Sequence, residues 1–118
     1  MSERDVKLFL CDILEAISKI EKFVEGMDYD SFVQDEKTRD AVVRNLEIIG
    51  EAAKNLPDEF KKEHSGIPWK AMAGMRDKLI HAYFGVSVSI VWETVKNDLP
   101  ALKRQVKHLL DELDMKKE

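Results

Sequence analysis

Apolar residues recur along this chain at spacings of three and four in three long segments, and each segment predicts an amphipathic α-helix. The first runs Val6, Leu10, Ile13, Ile17, Ile20 and Val24 and stops near Gly26. The second follows the stretch "DYDSFVQDEKT", runs Val42, Leu46, Ile49, Ala53 and Leu56, and ends at Pro57. Two signals compete for its start: Ser31 and Gln34 have capping-box spacing, and Asp35 can equally open the helix. The third runs Val88, Trp92, Val95, Leu99, Leu102, Val106, Leu109 and Leu113, with Ser87 as its N-cap. Pro100 removes one backbone donor and should bend this helix without ending it, because the pattern continues past it.

A short amphipathic piece, "PDEFKKEH", and a further helix fill the remaining interval. Pro68 suits the first position of that helix, and Gly85 suits a left-handed residue just past its end. The pattern therefore predicts an all-α fold: an antiparallel four-to-five-helix bundle, with residues 1–118 as a single domain. The second helix carries two apolar stripes. Val42, Leu46, Ile49 and Ala53 form one, and Ala41, Asn45, Ile48 and Ala52 form another about a quarter turn away. Two stripes require packing on two sides. Either this is a central helix, or the second stripe is a homodimer face, with small alanines permitting close approach and Asn45 as a polar contact. Arg44, Glu47 and Glu51 fall on the far side and read as a solvated charge ladder.

Composition narrows the function. Hydrophobic residues make up 44% and charged residues 36%, which suits a folded, helix-rich chain and excludes a disordered one. Five glycines and three prolines are too few punctuators for a many-stranded barrel. The single Cys11 rules out an internal disulfide and a cysteine zinc site, and its apolar helical surroundings predict a reduced core or half-buried thiol. No apolar run approaches the ~20 residues of a membrane span, and the first ten residues lack the form of a signal peptide, so a cytoplasmic location without membrane association is expected. The net charge of -4 excludes a broad nucleic-acid coat. Any contact with RNA or nucleotide must be local, in a cleft with a few cations placed for it.

Candidate chemistry gathers in "GMRDKLIHAYFGV", residues 74–86. No CxxC, HExxH, P-loop or GxGxxG occurs, and His64, His81 and His108 are dispersed, so neither a metal nor a cofactor is expected. Asp77 and His81 are one turn apart, so the carboxylate can reach the imidazole and fix its tautomer. Arg76 and Tyr83 are two turns apart and share a face if the helix continues that far. Arg76 and His81 differ by about 140° on an ideal helix, and converge only if the last turn unwinds near His81 or a second subunit completes the site. Histidine can exchange a proton with an RNA 2′-hydroxyl or a leaving 5′-oxygen near neutral pH, and arginine can hold the charge developing at phosphorus. Together they suit metal-free RNA cleavage ending in a 2′,3′-cyclic phosphate. An ordinary polar helix face is the competing reading. Arg104 and His108, also close on a helix, read as plain surface residues.

The chain resembles the HepT-like branch of the HEPN superfamily (higher eukaryotes and prokaryotes nucleotide-binding domains). The resemblance rests on "TRDAVVRNLEIIGEAAKNLP", "IPWKAMAGMRDKLIHAYFGV" and "IVWETVKNDLPALKRQV", and covers nearly the whole length. The motif of that family, Arg, four residues, His, one residue, Tyr, reads here as Arg76, His81 and Tyr83, with Asp77 as the polar residue after the arginine. The resemblance implies a HEPN-like helical homodimer whose motifs face a shared cleft, with metal-independent endoribonuclease activity through Arg76 and His81. It also implies a toxin of a type VII-like toxin–antitoxin pair, silenced when a cognate minimal nucleotidyltransferase antitoxin transfers AMP to Tyr83. Lys70 and Lys78 are candidate auxiliary phosphate contacts. Two other classes stand beside this one: a non-catalytic subunit that binds nucleotide or holds a nucleotidyltransferase, and a purely structural dimeric bundle.

Overall fold

Ser2 opens the first helix. Its hydroxyl accepts the Asp5 N–H while the Asp5 carboxylate accepts the Ser2 N–H, so two of the helix's unpaired donors are satisfied reciprocally. In the computed structural model, which describes residues 2–115, this helix, α1, spans Glu3–Phe23. It ends shortly before Gly26, which turns the chain at a φ of +75°. A six-residue helix, α2 (Tyr29–Gln34), follows inside the stretch read from sequence as a connection. Phe32 is its anchor, fully buried against Trp92 at a ring separation of 5.0 Å.

Asp35, rather than Ser31, caps α3 (Glu36–Asn55): its carboxylate accepts from the Thr38 N–H at 3.0 Å and the Thr38 hydroxyl at 2.8 Å. The short α4 (Asp58–Glu63) precedes α5 (Trp69–His81). Pro68 stands one residue ahead of α5, and the Trp69 indole N–H donates to the His64 carbonyl at 3.0 Å, pinning the helix start to the loop before it. At the other end the expectation fails. The helix stops at His81, a 3₁₀ turn occupies Tyr83–Gly85, and Gly85 is not left-handed. Ser87 caps α6 (Val88–Glu93) as expected, accepting the Ile90 N–H at 3.2 Å. A π-helical turn, Thr94–Asp98, then leads into α7 (Leu99–Met115). It lies directly ahead of Pro100, where a regular helix would drive the proline ring into the carbonyl four residues back.

Four long helices, α1, α3, α5 and α7, carry the bundle, with α3 at its centre between α5 and α1, and α1 against α7. Val42, Leu46, Ile49 and Ala53 of α3 are buried, and so are Asn45 and Ala52 of its second stripe. The Asn45 amide donates to the Ala41 carbonyl at 2.9 Å, which satisfies it within its own helix. Ala41 and Ile48 of that second stripe are half-buried, so α3 is a central helix packed fully along its first stripe and in part along its second. Where α5 crosses α3 the backbones come close at Gly50. Ion pairs tie the outer helices: Lys7 to Asp114 at 2.7 Å and Lys103 to Glu21 at 2.8 Å, both between α1 and α7. Cys11 departs from expectation: it sits on the exposed side of α1, between the core positions Leu10 and Ile13. No helix among the described residues is long and apolar enough to cross a membrane. Residues 1 and 116–118, the two ends of the expected domain span, lie outside the described residues.

Candidate active site

Arg76 emerges from the middle of α5 where that helix lies on α3, and its side chain is 20% exposed. Its Nη2 pairs with a Glu51 carboxylate oxygen at 2.9 Å, and its Nη1 donates to Asp77 at 2.9 Å. Asp77 also accepts from Lys54 at 3.4 Å. Glu51, Arg76, Asp77 and Lys54 therefore form a row of alternating charge across the α3–α5 contact. The row raises the Arg76 pKa, chiefly through the hydrogen bond to Asp77 and then the charge of Glu51, and partial burial opposes the rise. It holds the Asp77 carboxyl below the usual range, the hydrogen bond from Arg76 contributing most and Lys54 adding to it. The Arg76 Nε–H is buried without a hydrogen-bond partner among the described residues.

Glu51 was not visible as a site residue. Its spacing from Arg44 and Glu47 places it in a charge ladder, and the structure keeps only part of that ladder, an Arg44–Glu47 pair at 3.9 Å. Nothing in the periodicity of α3 reveals that the next helix delivers a guanidinium to Glu51. The groove around Arg76, about 330 Å³, is also lined by Phe9, Asp12, Arg44 and Glu47, so acidic groups share it with the two arginines.

His81 is the last residue of α5 and is exposed. Its imidazole makes no hydrogen bond among the described residues; Asp77, one turn back, faces Arg76 and Lys54. The helix stays regular through His81 and changes form only at Ala82, so the two motif residues keep their angular separation along α5 and His81 does not line the Arg76 groove. Tyr83, in the 3₁₀ turn, is 41% exposed and borders a small recess with Arg39, Leu79 and Val86, set apart from Arg76. Its ring meets Phe84 edge-on at 5.7 Å, and Phe84 is wholly exposed. With Ile80 also exposed, apolar side chains flank His81 on both sides in the sequence.

The two candidate phosphate contacts part company. Lys70 borders a groove between α3, α4 and α5, whereas Lys78 opens into a separate hollow beside Val86 and Ile90. A further apolar groove of about 520 Å³, between α3, α5 and α7, is lined by Leu46, Ile49, Met72, Met75 and Leu102 and contains none of the candidate residues.

Comparison with known proteins matches the chain to a family. Residues 13–109 fit the family described as Ribonuclease HepT-like, a span that includes Glu51, Arg76, Asp77, His81 and Tyr83. The chain is 54% identical to the probable ribonuclease HepT of Thermococcus cleftensis over 91% of its own length and 97% of the relative's. It is 51% identical to a protein of Caldanaerobacter subterraneus subsp. tengcongensis named provisionally as an RNase, over 86% of this chain and 91% of that one. A Methanocaldococcus jannaschii protein, also named provisionally as an RNase, is 44% identical over 97% of this chain and 94% of its own. No solved structure matches the chain significantly. The motif, the helices that carry it and these full-length likenesses agree: the chain belongs to the HepT-like ribonuclease family.

Proposed function

We propose that this protein is a metal-independent endoribonuclease that cuts RNA by attack of a 2′-hydroxyl on the adjacent phosphodiester. The observation that carries the reading is the family match across residues 13–109, with Arg76 and His81 inside it. The local chemistry supports it. An imidazole exposed at a helix end with no competing hydrogen bond is free to take the 2′-hydroxyl proton or return one to the leaving 5′-oxygen. The Arg76 guanidinium is held by two carboxylates and keeps further N–H groups for phosphate oxygens, on which negative charge grows as the bond breaks.

One protomer keeps Arg76 and His81 on different sides of α5, so the reading includes a homodimer in which the motif of a second copy completes each site. The exposed Ile80 and Phe84 beside His81 supply apolar surface for such a contact. The reading also includes a toxin–antitoxin setting: a partner nucleotidyltransferase transfers AMP to the exposed Tyr83 hydroxyl, and the added phosphate and base then occupy the RNA path. Working inside the cell, the protein would need no membrane contact.

A second reading, a non-catalytic nucleotide-binding subunit, is favoured by one observation: Glu51 and Asp77 already compensate the Arg76 charge. Incubating purified protein with RNA in excess EDTA separates the two. Cleavage with cyclic phosphate ends, lost in His81→Ala at unchanged helicity, is the expected result; intact RNA alongside nucleotide binding that depends on Arg76 would establish the second reading. For the modification, co-expression with the nucleotidyltransferase should add AMP masses that Tyr83→Phe abolishes.

A further inference from the structure

The groove between the C-terminal end of α3, α4 and the first half of α5 is lined by Lys54, Lys61, Lys62 and Lys70, with Asp58 the one acidic residue among those lining it. That concentration is notable in a chain of net charge -4. Its volume is about 480 Å³, and Ile67, Pro68 and Trp69 give it an apolar floor. Ile67 and Trp69 are buried, and Trp69 is fixed by its bond to the His64 carbonyl, so the floor is rigid. Asp58 lies 3.6 Å from Lys61 and Asp77 lies 3.4 Å from Lys54, so two of the four lysines have a carboxylate partner and Lys62 and Lys70 carry the rest of the groove's charge.

One contact links the groove to the motif. Lys54, on its wall, is the residue that bonds Asp77, which in turn holds Arg76. Along α5, Lys70, Asp77 and His81 are separated by seven and four residues, so they fall on one stripe of the helix. Lys70 therefore precedes His81 by roughly 16 Å on a single face. The Arg76 groove is different in character, being shared with Asp12, Glu47 and Glu51.

We propose that this lysine-lined groove is the track for the RNA backbone on one side of the scissile bond, delivering the strand along the α5 stripe to His81. The inference rests on the ribonuclease reading and adds where the substrate lies. Flexible ammonium groups over a narrow apolar floor hold phosphates without reading sequence, so the track binds single strands by charge. It supplies the local, cleft-bound cations that an acidic protein needs if RNA is its ligand.

The test measures binding of a 2′-O-methyl oligoribonucleotide, which lacks the attacking hydroxyl, to the full-length protein by fluorescence anisotropy across a salt series. Lys61→Gln, Lys62→Gln and Lys70→Gln combined should raise the Kd by about tenfold or more and lower the slope of log Kd against log salt by about 2. The pair Lys62→Gln and Lys70→Gln, which leaves the Lys61–Asp58 contact intact, should give a proportionate part of that loss. Lys19→Gln, Lys22→Gln and Lys107→Gln combined remove the same charge elsewhere and should leave both quantities near wild type. An equal loss in both triple variants would mean net charge alone acts, and an unchanged slope in the groove variant would leave the groove without this role; either overturns the proposal. So would a groove variant that binds RNA normally but releases an acidic protein partner. Unmodified RNA assayed alongside keeps the questions apart, because failure of the wild type to cut it counts against the ribonuclease reading and not against the track.

Discussion

Gly50 of α3 lies directly beneath Arg76 of α5: a methyl group at Gly50 would stand 2.2 Å from the Arg76 Cβ and 2.6 Å from the Met72 carbonyl oxygen. Neither neighbour is a flexible side-chain end. Both belong to the body of α5, so any side chain at position 50 must push that helix away from α3. Gly50→Ala is expected to cost about 1–3 kcal/mol, as overpacking does. On the fraction that remains folded, RNA cleavage should fall by about 100-fold, because the displaced element carries Arg76. Urea denaturation and cleavage rates at saturating RNA, measured on the same preparation, check both parts.

Glu51 separates holding from charge. Glu51→Gln keeps an acceptor for Arg76 Nη2, whereas Glu51→Ala removes it. If the carboxylate serves to orient the guanidinium, the Gln variant retains most of the wild-type kcat and the Ala variant loses about tenfold with little change in KM. A Gln variant that cleaves faster than wild type would instead mark Glu51 as a competitor of phosphate for Arg76.

Asp77 makes the pH prediction. Its carboxyl is held below the usual range mainly by the hydrogen bond from Arg76. A carboxylate with a depressed folded pKa binds its proton less readily in the folded protein than in the unfolded chain. Its stabilisation is therefore present above the ordinary Asp value and is lost as the pH falls through the lowered one. Asp77→Asn should flatten the stability profile below about pH 4 and leave its shape near neutrality unchanged. Thermal unfolding of the two proteins across that range reads the difference.

Phe32 is buried completely and packs at a tilt against Trp92, although it belongs to a helix of six residues. Phe32→Ala should cost about 3–5 kcal/mol, comparable with losing a large residue from a long helix. Denaturant midpoints at constant slope would show it.

Asp35 and Ser31 competed in the sequence as openers of α3, and only Asp35 caps it. Asp35→Ala should lower the Tm by a few degrees through the lost bonds to Thr38, while Ser31→Ala leaves it within about a degree.

What the sequence revealed divides along physical lines. The buried positions of α1 and α3, and most of those of α7, were legible because long amphipathic helices repeat their signal over several turns, and Val6 to Val24 and Val42 to Leu56 are buried as the spacing required. The α2 helix was not, because six residues with a single apolar anchor cannot display a period. The end of α5 was misplaced because Gly85 carries the composition of a helix stop, whereas the chain leaves the helix at Ala82 and spends Gly85 in a 3₁₀ turn. Arg76, Asp77, His81 and Tyr83 were legible as a local pattern. Gly50 and Glu51, which seat Arg76, were not, because their roles come from the crossing of two helices more than twenty residues apart in the chain. The lysine groove was hidden for the same reason: its residues are scattered over α3, α4 and α5 and meet only in the fold.

Cys11, alone of its kind and facing outward on α1, gives the molecule a built-in attachment point. A nitroxide placed there needs no other thiol removed. If two copies associate, the spin–spin distance between their labels becomes a direct ruler for the pair, and dilution to the lone chain would erase the signal. Assembly can thus be followed on the natural sequence, without altering any residue of the motif.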